Sequence, residues 1–339
     1  MPDKQEKRIY RMNGIISIFI VILIVLILES QHIRFIDFVL KNFLSLYISA
    51  LLVGLTISVL AYIRSFYVPI STLNPHIINK GKIYNFVVGR ELHPRIWNLD
   101  WKLLVIRNSI ITKFLIDFCL LGDKVELYID FAGQMFNANL NNLTPTCIVY
   151  FTLTAVYAID GLIFEYTRVT SKELQQEAFG YYMGVRYFID PFIASLTTKY
   201  ILDHNIMLPY WELGLVTGIF LTGYLIYRGS NNQKDSFRKN PYSPTFSNLD
   251  TLPTTQGKKL LCSGFWGLVR HPNYLGHILI ELSIVPFVLK SPLLFIILLK
   301  VAFLIHRSIR DNNHCKLRYE SAWDRYCSKV RYYLIPKVY

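Results

Sequence analysis

Charge is what this sequence has least of. Only 17% of its 339 residues are Asp, Glu, Lys or Arg, against 53% hydrophobic and 15% aromatic residues, a balance too apolar for a water-soluble domain of this length. Acids are scarcer than bases, 23 against 36. Cysteine is also sparse: the five thiols, Cys119, Cys147, Cys262, Cys315 and Cys327, are odd in number and contain no C-x-x-C pair, which excludes a secretory disulfide framework and a zinc-like cluster. Internal repeats and low-complexity segments are absent. No small-residue cleavage site follows Glu29, so the first apolar run reads as a retained anchor and not as a signal peptide.

What the chain does have is apolar runs of membrane length. They fall at residues 14–28, 44–63, 147–164, 213–227 and 278–305, the last long enough for a hairpin broken near Ser291-Pro292; weaker runs lie at 103–121 and 181–202. Because a helix satisfies its own backbone in lipid, the expected fold is an all-α, polytopic membrane bundle of about seven to nine transmembrane helices. A cytoplasmic amphipathic helix is expected over 311–328, ended before Pro336.

The net charge of +13 is not gathered on one soluble stripe, so direct nucleic-acid binding is not expected. The bases sit between the apolar runs: Lys4, Lys7, Arg8 and Arg11 at the head, a group from Lys234 to Arg270, and a basic tail from Arg307 to Lys337. The positive-inside rule places all three on the cytoplasmic side, where attraction to anionic membrane lipid explains most single lysines. Tyr332, Tyr333 and Tyr339 suit the headgroup layer. Residues 229–257 are rich in Asn, Ser, Thr and Pro and read as one long loop.

Polar side chains nevertheless cluster where packing alone does not require them. Asp311, Cys315 and Tyr319 are spaced i, i+4, i+8 on one predicted helical face, with Tyr326 a heptad later and Arg307 one turn earlier as a partner for Asp311. Lys234 and Arg238 are also four apart and present two cations to one anion if their segment is helical. Arg and Lys are good phosphate ligands. Trp266, Arg270, Asn273 and Tyr274, within "FWGLVRHPNY", add a further cation, rings for stacking and an amide for hydrogen bonding: the parts for holding a nucleotide. Inside the apolar runs, Tyr157 with Asp160 and His277 with Glu281 are ionisable or polar groups of the kind that lipid makes costly. The second pair reads as a local contact, and for Asp160 packing and function stay open.

These residues lie in motifs that resemble the membrane sterol reductases acting on the C14 or C7 double bond, a family that includes the membrane domain of the lamin B receptor. The motifs are "GRELHPRI" with "LDWK", "NNQKDSFRKNP", "LLCSGFWGLVRHPNYLG", "HRSIRD", "HCKLRYESAWDRYC" and "IPKVY", in order from about residue 89 to 339. The forms "FRKNP" and "HPNYLG" are more similar to the C14 and lamin B receptor branch.

The resemblance implies NADPH-dependent reduction of a sterol alkene in the endoplasmic reticulum or the contiguous inner nuclear membrane, with sterol and membrane lipid as partners. It implies NADPH contacts at Lys234, Arg238, Leu261, Trp266, Asn273, Tyr274, Asp311, Cys315, Tyr319 and Tyr326, and an acid made of Tyr157 with Asp311. The expected organisation is a basic head at 1–12, transmembrane helices over 13–88 and a reductase-like domain over 89–339, its cofactor pocket mainly in 229–339. An isolated alkene accepts hydride only after protonation, so an acid is expected opposite the hydride donor, in a pocket dry enough to raise a carboxyl pKa and protect a cation.

The chain departs from the family on its sterol-facing side: "QEAFG" stands for "HDGFG", Arg186-Tyr187 for a Gly-Asp pair, His277 for an Asp, Asn312 for an acid and Arg331 for a Pro. Only two clear spans precede "GRELHPRI". The sequence thus admits a working reductase of altered preference, a catalytically silent lamin B receptor-like protein of the nuclear envelope or, more distantly, a prenylcysteine or phospholipid methyltransferase.

Overall fold

The computed structural model describes residues 10–75, 80–130, 135–255 and 257–338; the head residues Lys4, Lys7 and Arg8, and Tyr339, lie outside them. The chain divides into two compact units, Met1–Ile206 and Met207–Tyr339. Both are mostly helical, with three small antiparallel hairpins among the described residues that apolar periodicity did not announce.

The first unit contains α1 (Gly14–Ser30), α2 (Phe35–Lys41), α3 (Phe43–Arg64), α4 (Lys82–Val88), α5 (Trp101–Lys124), α6 (Pro145–Ile163), the single turns α7 (Tyr166–Val169) and α8 (Lys172–Gln175), and α9 (Tyr181–Asp203). Hairpins β1–β2 (Arg95–Ile96, Leu99–Asp100) and β3–β4 (Tyr128–Asp130, Met135–Asn137) flank α5. Local chemistry starts these helices: Asp100 Oδ1 accepts from Leu103 N at 3.1 Å to cap α5, and Thr144 Oγ1 accepts from Cys147 N at 3.2 Å ahead of Pro145 to cap α6. Helix α9 packs on α5 and α3.

Among the described helices, α3 and α6 are long and apolar enough to cross a membrane, with α1 and α2, bent by 103°, as a third span if they act together. That is fewer than seven to nine. The weaker runs do form long helices, α5 and α9, but α5 carries Lys102, Arg107, Lys113 and Asp117, and α9 carries Arg186 and Asp190. These charges are matched inside the protein: Arg107 pairs with Glu165 at 3.0 Å and Arg186 with Asp190 at 2.9 Å.

The motif "GRELHPRI" is locked onto "QEAFG". Gly89 adopts φ +91°, and a Cβ there would stand 2.3 Å from the Phe179 carbonyl carbon, so only glycine fits the crossing. Phe179 N donates to Glu91 O at 3.0 Å, and Lys102, fully buried, gives its ammonium to the carbonyls of Glu173, Leu174 and Glu177. Nothing in the "LDWK" pattern announces a lysine at 0% exposure; three backbone acceptors make it tolerable.

The second unit contains α10 (Tyr210–Lys239), hairpin β5–β6 (Thr251–Pro253, Lys259–Leu261), α11 (Phe265–Leu268), α12 (Pro272–Ser283), α13 (Val285–Val288), α14 (Leu293–Tyr319) and α15 (Ser321–Lys329). Helices α10 and α12 cross at Gly223 and Gly276, where a Cβ on Gly276 would meet Tyr227 N at 2.4 Å. The expected break near Ser291-Pro292 separates α13 from α14. Two boundaries differ from expectation. The loop expected from residue 229 begins only after Lys239, because "GSNNQKDSFRK" holds no proline and continues α10 as a polar helix. The expected tail helix is not separate: residues 311–319 are the end of α14, and Glu320, at φ +47°, breaks the chain before α15. Tyr326 therefore lies on a different helix from Asp311, Cys315 and Tyr319.

Candidate functional site

The polar end of α10 sets one wall of the candidate site. Lys234 and Arg238 are one turn apart, as the spacing predicted for a helix. Lys234 Nζ donates to Asn231 Oδ1 at 3.0 Å and stands 5.7 Å from the centroid of the Trp266 ring. Trp266 is fixed on both sides: its indole Nε1 donates to Ser230 O at 3.0 Å, and its carbonyl accepts from the Tyr326 hydroxyl at 2.8 Å. Phe265 N donates to Gln233 Oε1 at 3.2 Å, so the corner at Gly264, with φ +64°, is pinned to α10.

Beyond the kink at Glu320 the chain folds back, and Trp323 becomes the centre of a stack with Tyr326 at 4.8 Å and Tyr319 at 6.4 Å. Cys262, Ala322 and Val330 complete that buried cluster, with Cys315 packed against it. Leu261, from β6, is buried beside Cys262. The i+4 spacing from Tyr319 to Trp323 was the only sequence signal for Trp323, and it crosses the helix break.

The start of α12 brings the remaining predicted residues to α14. Tyr274 donates to Asp311 Oδ2 at 2.7 Å, and Arg310 Nη2 stands 3.4 Å from Asp311 Oδ1. Burial, and secondarily the Asp311 carboxylate, push the Tyr274 phenol up despite nearby Arg307, so Tyr274 holds its proton and donates it as a hydrogen bond. Asn273, next to it, has a buried Oδ1 without a hydrogen-bond partner, as does Asn312 on α14.

The cations are crowded. Burial first, then the like charge of Arg238, pulls Lys234 down to about 7, while Asp311 and Asp235 oppose the shift. Its surface is only half-buried although protein surrounds it, the pattern of a side chain lining a cleft. Arg238, exposed at its surface although protein crowds it, is also lowered by loss of solvent, with Tyr319, Cys315 and Arg318 among the groups in its field. Lys258 is lowered by burial and by Arg318 and Arg238. Arg238 thus raises the energy of the charged Lys234, and Arg318 and Arg238 that of Lys258, so an anion placed beside Arg238 relieves the repulsion. Lys258 and Arg318 were visible in the sequence only as loop and tail charges.

Arg270 does something other than expected. Its guanidinium donates to Val330 O at 2.9 Å and Arg331 O at 3.1 Å, clasping the closing segment. A cavity of about 510 Å³ in this unit is lined by Arg270, Asn312 and Tyr333 and does not include the Lys234–Trp266 contact. Tyr157 lies half-buried on α6 of the first unit. His277 and Glu281 form the expected local pair at 3.7 Å.

Helices of membrane character, mostly α in both units, define a helical membrane protein, and in its second unit a lysine lies over an indole beside a buried stack of aromatic rings. The chain belongs to the ergosterol biosynthesis ERG4/ERG24 family, which it matches over residues 2–339. It is 32% identical over 302 residues to "Delta(14)-sterol reductase LBR" of Gallus gallus, covering 86% of this chain and 45% of the relative. Against "Delta(14)-sterol reductase TM7SF2" of Mus musculus it is 35% identical over 287 residues, 83% of this chain and 66% of the relative. Against "Delta(14)-sterol reductase erg24" of Schizosaccharomyces pombe it is 28% identical over 354 residues, 100% of this chain and 78% of the relative. The chain therefore spans less than two thirds of the chicken and mouse relatives.

Proposed function

We propose that this protein reduces a sterol ring double bond, the C14 alkene in first place, with NADPH as hydride donor, in the membrane of the endoplasmic reticulum or the contiguous inner nuclear membrane. The observation that carries the proposal is Lys234 lying over Trp266 and crowded by Arg238, next to the stack of Tyr319, Trp323 and Tyr326 against which Cys315 packs. The residues present fit the cofactor: Lys234 and Arg238 answer its phosphates, the Trp266 and Tyr319 rings offer stacking faces, and Asn273 Oδ1 offers an acceptor to an amide or amine on the bound rings. Leu261 and Cys315 close the apolar side. When bound, NADPH supplies the hydride.

The chain's own part is to bind, orient and manage the proton. In the proposed reaction Tyr157 holds the proton for one alkene carbon, and the cation left on the other carbon would take the hydride that the bound cofactor supplies. One proton and one hydride are consumed for each double bond removed. Asp311, which accepts from the Tyr274 hydroxyl at 2.7 Å, is the acidic residue proposed in the second unit.

The test is binding followed by turnover. Purified protein binds NADPH, and Arg238→Ala weakens that binding roughly tenfold or more, as expected for loss of a charged hydrogen bond worth about 1.5–3 kcal/mol. Expression in cells lacking C14 reductase restores growth. One observation favours the second, silent reading: Arg186 donates to the Tyr182 hydroxyl at 3.0 Å and pairs with Asp190, and the Tyr187 hydroxyl bonds to Glu173, so bulky polar groups occupy the positions where the resemblance implies Gly-Asp. NADPH binding without sterol turnover selects that reading.

A further inference from the structure

At the C-terminal end of α3 the chain displays a set of large side chains that none of the described residues covers. Tyr67, Ile70, Ile83 and Trp97 are 84%, 78%, 82% and 95% exposed, and Phe66 and Tyr84 are exposed beside them. They come from three segments: the turn after α3, the short helix α4, and the tip of the β1–β2 hairpin, where Trp97 is held at φ +52°. Water alone gives no reason to display them.

The segments are fastened to one level of the unit. Arg64, at the last turn of α3, pairs with Glu91 at 3.2 Å and lies 6.0 Å from the ring of Trp101, the first residue of α5. Arg90 sits over Phe66 at 4.2 Å, and Asn74 N donates to Arg90 O at 2.8 Å. Tyr62 of α3 packs edge-on against Phe86 of α4, which in turn meets Tyr181, the first residue of α9. The end of α3 and the starts of α5 and α9 therefore share this level.

Its depth follows from α3. Twenty-two residues at 1.5 Å each give about 33 Å, the thickness of a hydrocarbon core, so whatever follows Arg64 emerges at the headgroup layer. The charge agrees. Between residues 65 and 99 there are four bases, Lys80, Lys82, Arg90 and Arg95, and one acid, Glu91. Glu91 is buried and paired, which leaves Lys80 and Lys82 exposed among the aromatic and aliphatic side chains. Amphipathic rings with lysines are the composition that partitions into an anionic interface.

We propose that the turn after α3, helix α4 and the tip of the β1–β2 hairpin form an interfacial collar that inserts its rings and aliphatic side chains among anionic phospholipid headgroups. The collar holds the end of α3 and the starts of α5 and α9 at fixed depth. This rests on α3 being a span and not on the reductase reading.

The test uses the full chain in phosphatidylcholine–phosphatidylserine vesicles and the difference in tryptophan fluorescence between wild type and Trp97→Phe, a change at a solvent-facing position that leaves packing alone. The expected difference spectrum is blue-shifted from tryptophan in water. Nitroxide lipids labelled near the headgroup quench it more than lipids labelled at the chain end, and aqueous iodide quenches it weakly. Strong iodide quenching with no lipid quenching overturns the proposal by placing Trp97 in water. Quenching by neither probe overturns it in favour of a protein partner, such as a second copy. Stronger quenching by the deep label overturns it by placing the hairpin in the hydrocarbon.

Discussion

If Lys234 grips a phosphate of the cofactor, NADPH binding must weaken above neutral pH in a way no other residue of the cleft reproduces. The surrounding protein and Arg238 bring the Lys234 pKa down to about 7, so about half of the free protein carries the ammonium at pH 7 and about 1% at pH 9. Binding that requires the ammonium is then about fifty-fold weaker at pH 9 than at pH 7, about 2.3 kcal/mol. That loss lies within the roughly 1.5–3 kcal/mol expected for a charge-assisted hydrogen bond, so the contact is strong enough to draw the proton back on. The cofactor's own phosphate, with a second pKa near 6, is already fully ionised across this range, and Arg238 stays charged throughout.

The assay is calorimetric titration with NADPH at pH 7, 8 and 9 in buffers of different ionisation enthalpy. The buffer dependence reports uptake of up to one proton per NADPH, largest at the alkaline end. Lys234→Arg keeps affinity near the wild-type value and flattens the pH dependence; Lys234→Met lowers affinity at pH 7 and flattens it as well. A wild-type slope that persists in the arginine variant assigns the titration to a group other than Lys234 and refutes the reasoning. The empty protein gives a check of opposite sign. Between about 7 and the ordinary lysine value of 10.5, the unfolded chain holds a proton that native Lys234 lacks, so this group makes stability rise with pH over that window.

Three further outcomes follow from the geometry. Asp311→Asn and Tyr157→Phe each abolish growth in the C14-reductase complementation assay while leaving NADPH binding by Tyr157→Phe unchanged, and growth of both variants removes the proposed acid. Glu320→Gly relieves the positive φ between α14 and α15 and raises stability by about 1 kcal/mol in thermal unfolding, the low end of the usual cost of such strain. Gly89→Ala, which sets a Cβ 2.3 Å from the Phe179 carbonyl carbon, reduces recovery of folded protein in detergent far more than Gly81→Ala, where a Cβ meets nothing within 4 Å.

The sequence made helices legible wherever apolar side chains recur, and it made the candidate site legible because its side chains are costly ones: a cation, an indole and an amide are conspicuous beside lipid. What it hid were features decided by contacts distant along the chain. Residues 229–239 look like loop by polarity, yet the helix persists because Asn231 and Gln233 are used by Lys234 and by the backbone of Phe265. The break at Glu320 has neither glycine nor proline to mark it, and is imposed by the return of Trp323 and Tyr326 onto Cys262 and Trp266. Arg270 reads as a phosphate ligand until the closing segment supplies it with carbonyls.

These hidden features are what allow the visible ones to act together. Lys234 stands on α10, Trp266 on the corner after β6, Tyr274 on α12, Asp311 on α14 and Tyr326 on α15; five separate elements offer no cleft unless something fixes their spacing. The bonds that do so are made by groups with no proposed part in the chemistry: the Ser230 carbonyl, the Gln233 amide, the backbone of Trp266 and the Arg270 clasp. An indole anchored at its nitrogen and through its own carbonyl keeps its face toward Lys234 without cofactor present, so ordering costs fall before binding rather than during it. The discriminating substitution is therefore Gln233→Ala, which removes a tie and no proposed ligand. It should lower NADPH affinity by several-fold, through the roughly 1 kcal/mol worth of one neutral hydrogen bond, and leave the pH dependence above neutrality intact, since Lys234 still titrates. If affinity is unchanged, the corner is not held by this bond and the cleft forms only around its ligand.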